Sequence, residues 1–393
     1  TDKFDDLYCS YESDESIPRT TIGAQELILD LLKERAETGR IYIMNIDHCN
    51  SHSSFKDKVS MSNLCQEITL PTHPISHIDD HLGEIALCIL SAVNVGKINS
   101  DKELEELCDL SVRGLEELID YQRYPVKAAE IATKARRSLG VGFIGLAHYL
   151  AKLGYKYESQ EAWDAVHGLS ESFQYFLIKA SNEVAKEKGH CENFGRTKYA
   201  DGILPIDTYK KDVDEICSQP LQHDWESLRA SILEHGLRHS TLSAQMPSES
   251  SSVVCNATNG IEPPRDYLSI KKSKKGPLKQ IVPSYGSLKN NYTLLWDMPN
   301  NEGYINIVSV MQKFFDQAIS GNWSYNPVHF ENAEVPVSVM AQDLLTTYKY
   351  GWKTSYYQNT HDMKTDEVDE PNLESLLSDL ENANEEECES CAI

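Results

Sequence analysis

"SLGVGFIGLAHYLAKLGY" (138–155) reads as a strand, a glycine-rich turn and a helix in succession. The same alternation extends to both sides. Upstream, "DKELEELCDLSVRGLEELIDYQ" (101–122) is a strongly patterned helix. "TIGAQELILDLLKERAETG" (21–39) is another, with Ala24, Leu27, Ile28, Leu31 and Leu32 on one face, Thr20 or Thr21 as cap and Gly39 as its end. "RIYIMNID" (40–47) follows as a buried strand, and "MSNLCQEITLP" (61–71) as a loop or strand end. Downstream, helical stretches lie near 160–188 and 223–235. "GLRHSTLSAQMPSESSS" (236–252) reads as a strand ending in a polar loop, and "KYGWKTSYYQNT" (349–360) as a further strand. Strands that alternate with helices define an α/β chain. Residues 1–20 are a polar, loose lead-in, 21–360 the α/β body, and 361–393 an acidic, disordered tail. No internal repeat is visible.

The 393 residues carry a formal net charge of −24 with 40% hydrophobic and 25% charged residues, which is ordinary globular composition. So acidic a surface disfavours nonspecific binding to DNA or to an anionic membrane. No apolar run is long enough to span a bilayer and no secretory signal opens the chain. The ten cysteines are scattered, and read as reduced thiols of a cytoplasmic protein.

Two of those cysteines, Cys388 and Cys391, end the acidic tail in "EEECESCAI" (385–393). A flexible tail of about 30 residues has an r.m.s. reach of roughly 30 Å, so a dithiol there reaches places that a fixed one does not. The pair lacks the four ligands of a structural zinc site, and no other metal site suggests itself. A redox shuttle, a zinc site and a chance pair remain open on the spacing.

A shuttle needs an internal thiol to serve, and "SNLCQE" (62–67) and "GEIALCILSAVN" (83–94) supply Cys65 and Cys88. On an extended backbone Asn63, Cys65 and Glu67 would share one face. That would group an amide, a thiol and a carboxylate able to act as general base. A buried cysteine flanked by surface polar residues is the plain alternative. In "TSYYQNT" (354–360), Tyr356 and Tyr357 are adjacent. Neighbours on a strand point to opposite faces, so these are either half-buried strand aromatics or two phenols able to pass an electron and a proton together.

In this order, "SNLCQE", "GEIALCILSAVN", "MPSESSS" leading into "NATNGIEPPR", "TSYYQNT" and the terminal cysteine pair resemble the catalytic large subunit of class I ribonucleotide reductase, closest to the class Ia form of enteric bacteria and their phages. The likeness runs from about residue 20 to the terminus and includes "GILPIDTYKKD" (202–212) and "RIYIMNIDHCN" (40–50). It implies the C-terminal part of a ten-stranded α/β barrel that reduces ribonucleoside diphosphates by thiyl-radical chemistry. Cys65 would carry the radical, Glu67 take the 3′-hydroxyl proton and Asn63 bond the sugar. Cys88 would be one of two reducing thiols, Tyr356 and Tyr357 the radical relay, and Cys388 and Cys391 the shuttle recharged by thioredoxin or glutaredoxin. Asn63, Leu64, Cys65, Gln66 and Glu67, with the loop Pro247, Ser248, Glu249, Ser250 and Ser251, would hold the substrate. Hydroxyl residues and N–H groups at a helix start suit a diphosphate, while a serine N-cap opening a helix is the structural alternative.

The resemblance also implies what the chain lacks. The second reducing cysteine and the effector and ATP sites belong to a half upstream of this one. That half would be a separate polypeptide from a split gene or part of a longer chain. Cys9 and Cys49 match no motif, and Cys255 reads as an inert buried thiol. The tail pair is more closely spaced than in the relatives. Half a barrel exposes an apolar edge, so association with the N-terminal half is expected. A small subunit would hold the diiron-tyrosyl radical, and this chain would bind no cofactor of its own. A non-catalytic assembly protein is the alternative. An independent dithiol oxidoreductase is disfavoured because the terminal pair does not open a helix after a strand.

Overall fold

The computed structural model describes residues 3–273 and 276–362. The helix expected over 101–122 spans Asp101–Tyr121, capped by Ser100, which accepts the Glu103 N–H. Leu104, Cys108, Val112, Leu115 and Ile119 form its buried face, at the three- and four-residue intervals of one helical stripe. It packs on the long helix Gln160–Lys188, whose cap is Ser159. Helix Trp225–His235, capped by Asp224 through the Ser227 N–H, lies against the same long helix.

The central strand, Leu139–Ile144, is buried at every residue and pairs in parallel with Ile89–Asn94. A strand covered on both faces reads as an unbroken apolar run. Gly145, at φ 82°, turns the chain into helix Leu146–Leu153. Ser243 bridges Val141 in parallel, and Gln245 bridges Ile319 in parallel. Extended chain thus runs side by side from 89–94 through 139–144 and 241–245 to 317–320. Phe143, Phe173 and Phe315 fill the core beneath, with Phe143 4.5 Å and 5.5 Å from the other two ring centres.

The α/β reading holds, with local differences. The lead-in contains a helix, Phe4–Ser13, none of whose residues is buried. Acidic Asp5 and Asp6 suit its N-terminal turn, and Phe4 stacks on Tyr8 one turn later. The next helix spans Ala24–Thr38. Gly23, not Thr20 or Thr21, is its cap, and Gly39 ends it at φ 69°. Its expected apolar face is only partly used: Leu32 is buried, while Leu27 and Ile28 are exposed. The strand expected over 40–47 reduces to Ile43–Met44, paired antiparallel with Thr354–Ser355, because helix Ile46–Ser51 begins at once. The strand over 349–360 is likewise divided. Helix Val337–Lys349 precedes it, and Thr354–Ser355 and Gln358–Thr360 pair with different partners. No helix of the described residues is long and apolar enough to cross a membrane. Cys388, Cys391 and residues 363–393 of the expected tail lie outside the described residues.

Candidate active site

Asn63, Cys65 and Glu67 do not sit on an extended strand. The segment turns, with the Gln66 N–H donating to Asn63 O at 3.2 Å and Gln66 in the left-handed region at φ 70°, a conformation that costs a non-glycine residue about 1–2 kcal/mol. The turn returns Glu67 to Asn63, whose Nδ2 donates to Glu67 Oε2 at 3.0 Å, while its Oδ1 accepts the Ile68 N–H. Amide and carboxylate therefore meet, through a turn rather than through strand alternation. Burial raises the Glu67 carboxyl above its usual range, against the bonds from Asn63 and Ser320. Leu64 points outward at 77% exposure.

Cys65 is half-buried, and the Tyr356 phenol donates to its sulfur at 3.5 Å. Tyr356 and Tyr357 lie between the two short strands rather than within one. Alternation is broken there, and their ring centres are 4.1 Å apart. A third phenol, Tyr42, stands 4.8 Å from Tyr356 and 5.4 Å from Tyr357. Burial drives the Tyr356 phenol well up, and contact with the phenols of Tyr356 and Tyr42 draws Tyr357 down. Arg35, fully buried over the Trp323 ring, donates to Tyr356 O at 3.0 Å and to Tyr357 O at 3.4 Å. The sequence reading placed neither Tyr42 nor Arg35 at the site.

Cys88 precedes strand Ile89–Asn94 and packs against the small cluster of Cys49, Phe55, Val59 and Leu70. Its sulfur occupies space left by Gly140, where a Cβ would lie 2.8 Å away, and burial raises its pKa to about 12.

A cavity of about 800 Å³ opens onto Cys65, Tyr356 and Tyr357, with Pro247, Glu249 and Arg265 also on its wall. That is within the roughly 300–1,000 Å³ of small-molecule sites. The polar loop delivers Pro247 and Glu249 to the wall, whereas Ser248 is buried and Ser250 and Ser251 are exposed away from the lining. Ser252, just past the expected stretch, does line it. Ser248 stands at the start of the short helix Glu249–Val254 but makes no side-chain cap bond; its hydroxyl faces Met246 O. Cys255 is exposed, not buried, because that helix ends beside it at the surface. Cys9 is exposed and Cys49 buried, where burial raises its pKa to about 11.

One segment that the motifs did not mark, Asp316–Asn322, touches nearly every group above. Gln317 Nε2 contacts Cys88 Sγ at 3.5 Å, and the Ala318 N–H donates to Glu67 O at 3.0 Å. Ser320 Oγ bonds Cys65 O and lies 3.3 Å from Glu67 Oε2. Gly321 O accepts the Tyr356 N–H, and Asn322 Oδ1 accepts the Tyr357 N–H at 3.0 Å. Asn322 Nδ2 reaches Glu262 at 2.6 Å. The one signal in the sequence is a polar set inside an apolar stretch, "FFDQAISGNW" (314–323), since buried polar groups require partners.

The chain belongs to the family described as "Ribonucleotide reductase, barrel domain", whose profile matches residues 1–358. Among curated relatives, "Ribonucleoside-diphosphate reductase subunit alpha" of Haemophilus influenzae is 58% identical over 364 residues, covering 92% of this chain and 48% of the relative. "Ribonucleoside-diphosphate reductase 1 subunit alpha" of Escherichia coli is 55% identical over 372 residues, covering 94% and 49%. The alpha subunit of Enterobacteria phage T4 is 42% identical over 368 residues, covering 92% and 48%. The chain thus spans about half the length of the curated relatives it matches.

Proposed function

We propose that this chain is the thiol-bearing catalytic part of a ribonucleoside-diphosphate reductase, working with the half of the alpha subunit it does not contain and with a radical-generating small subunit. The observation that carries the reading is the contact of the Tyr356 phenol with the Cys65 sulfur, on the wall of a cavity large enough for a nucleotide. A phenol donating to a thiol is placed to exchange a hydrogen atom with it. The Tyr356 oxyl takes the Cys65 hydrogen, leaving a thiyl radical and a restored phenol. Tyr357, 4.1 Å from Tyr356 ring to ring, is the preceding member of the relay.

The Cys65 thiyl abstracts the C3′ hydrogen of the substrate ribose. Glu67 accepts the 3′-hydroxyl proton, a task suited to a carboxylate whose pKa burial raises toward neutrality. Asn63 orients that carboxylate and bonds the sugar. The 2′-hydroxyl leaves as water. Cys88 and a second thiol from the other half supply two electrons and two hydrogens and become a disulfide. Cys65 then returns its hydrogen to C3′. The polar loop takes the phosphate end through Pro247 and Glu249, with Ser252 beside them on the cavity wall. Cys388 and Cys391 reduce the internal disulfide, and thioredoxin or glutaredoxin reduces them. Nucleotide effectors and ATP act on the other half, and the enzyme works in the cytoplasm.

The test is Cys65→Ser in the assembled enzyme. A near-isosteric hydroxyl leaves fold and assembly unchanged but holds its hydrogen too tightly to give it to a phenoxyl. Deoxynucleotide formation falls below detection, and measurable product would remove Cys65 from the radical role.

A further inference from the structure

Gln317 is fully buried, and its neighbours determine which way its amide points. Oε1 accepts the Thr69 N–H at 3.3 Å, and Nε2 donates to Leu139 O at 2.9 Å. Rotating the amide by half a turn would set oxygen against a carbonyl and nitrogen against an N–H, so one orientation is fixed. An amide nitrogen carries two protons. Leu139 O takes one, and Cys88 Sγ, 3.5 Å away, faces the other. Burial and the carboxylates of Glu67 and Asp316 all oppose a negative charge on that sulfur, and the Gln317 bond acts the other way.

We propose that Gln317 is the positioning residue of the Cys88 thiol: its second amide proton holds the sulfur in the space beside Gly140 and stabilises it as a thiolate during disulfide exchange. This rests on the redox reading above and gives it a further residue. When a thiolate of the tail attacks a disulfide formed by Cys88 and its partner, it bonds to the partner sulfur. The S–S bond breaks, and its electron pair leaves on Cys88, which then takes a proton from water. Exchange is faster when the leaving sulfur is the better-stabilised thiolate, and a donor already aimed at it supplies that stabilisation without reorganisation.

Alkylation of Cys88 by iodoacetamide, followed against pH by peptide mass spectrometry on the 393-residue chain, tests this without partner or turnover. Gln317→Glu retains the acceptor for Thr69 and loses the donor to sulfur. Gln317→Met loses both but adds no charge. The expected result is Cys88 alkylation about tenfold slower at pH 8 in both variants, with the rate profile displaced upward by about one pH unit. Cys49 and Cys108, both fully buried, remain unlabelled and report an intact fold. If Gln317→Met does not fold, Gln317→Glu decides alone. A Cys88 profile that matches the unsubstituted chain in a folded Gln317→Met, or in Gln317→Glu, overturns the proposal. The assay does not read nucleotide reduction, so such a failure leaves the reductase reading standing. Failure of the Cys65→Ser test would remove that reading and leave the amide–sulfur contact intact.

Discussion

Asp316→Asn changes one atom and tests whether the segment carrying Gln317, Ser320 and Asn322 is anchored as described. The Asp316 carboxylate is buried and accepts five bonds. Oδ1 takes the Ser243 N–H at 2.9 Å and the Ser243 hydroxyl at 3.1 Å. Oδ2 takes the Leu242 N–H at 2.9 Å, the Tyr199 hydroxyl at 2.8 Å and Gln174 Nε2 at 3.4 Å. An asparagine has one acceptor oxygen. Whichever way it turns, its NH₂ faces the backbone N–H of Leu242 or of Ser243, and that amide loses its partner. A bond to a charged group contributes about 1.5–3 kcal/mol, and an orphaned buried donor costs about 1–3 kcal/mol. The terms are not additive within one network, so the substitution costs about 3–5 kcal/mol, the range for breaking a buried charged pair. Tyr199→Phe is the internal standard. It removes one of the five donors and orphans nothing, so it costs about 1.5 kcal/mol. Urea unfolding gives the comparison, provided the slope is unchanged. Hydrogen exchange gives the locality: about 3 kcal/mol corresponds to a more than hundredfold larger open population at Leu242 and Ser243. The reasoning fails if Asp316→Asn costs no more than Tyr199→Phe, or if both amides keep their protection.

Tyr356→Phe or Tyr357→Phe keeps ring and packing but removes the transferable hydrogen, so turnover of the assembled enzyme should cease with substrate affinity unchanged; normal turnover would return that tyrosine to a packing role. Glu67→Gln should lower turnover by about 10²–10⁴, the usual contribution of a general base. The Glu67 pKa is raised on folding, so the folded chain binds its proton more tightly than the unfolded chain, and ionisation costs stability as pH rises through the folded value. The advantage of Glu67→Gln over Glu67 in urea midpoint should therefore grow from pH 4 to pH 8, and a difference independent of pH would contradict the burial. Changing both Cys388 and Cys391 to Ser should spare the first turnover and abolish steady-state turnover on thioredoxin, while dithiothreitol, small enough to enter, restores much of the rate; equal loss with both reductants would mean that the tail acts in the chemistry itself.

The helices legible in the sequence are those with a cap residue and a sustained period, such as Asp101–Tyr121 behind Ser100. The strands were harder. Ile43–Met44 and Thr354–Ser355 are too short to show a period, and the residues beside them read as part of the same run. The chemical groups of the site were legible because Asn63, Cys65 and Glu67 are adjacent in the chain. Their geometry was not, because a glutamine in the left-handed region has no sequence signature. Tyr42 and Arg35 meet Tyr356 across more than 300 residues of chain, a proximity that no local pattern encodes.

Asp316–Asn322 explains why the site depends on so little of the recognisable motif. All seven of its residues bond chain that is distant in sequence, and most of those bonds involve backbone atoms: Cys65 O, Glu67 O, and the N–H groups of Thr69, Tyr356 and Tyr357. Backbone atoms are present whatever the side chain, so the partners leave no trace in composition. A shift of the segment by a fraction of an ångström would move thiol, carboxylate and phenols together. The hydrogen transfer proposed between Tyr356 and Cys65 would depend steeply on their separation, whereas filling a cavity of about 800 Å³ does not. Substitutions in this segment that leave the fold intact should therefore lower kcat well before they raise KM. A variant of Ser320 or Asn322 with KM raised and kcat unchanged would place the segment in substrate binding instead.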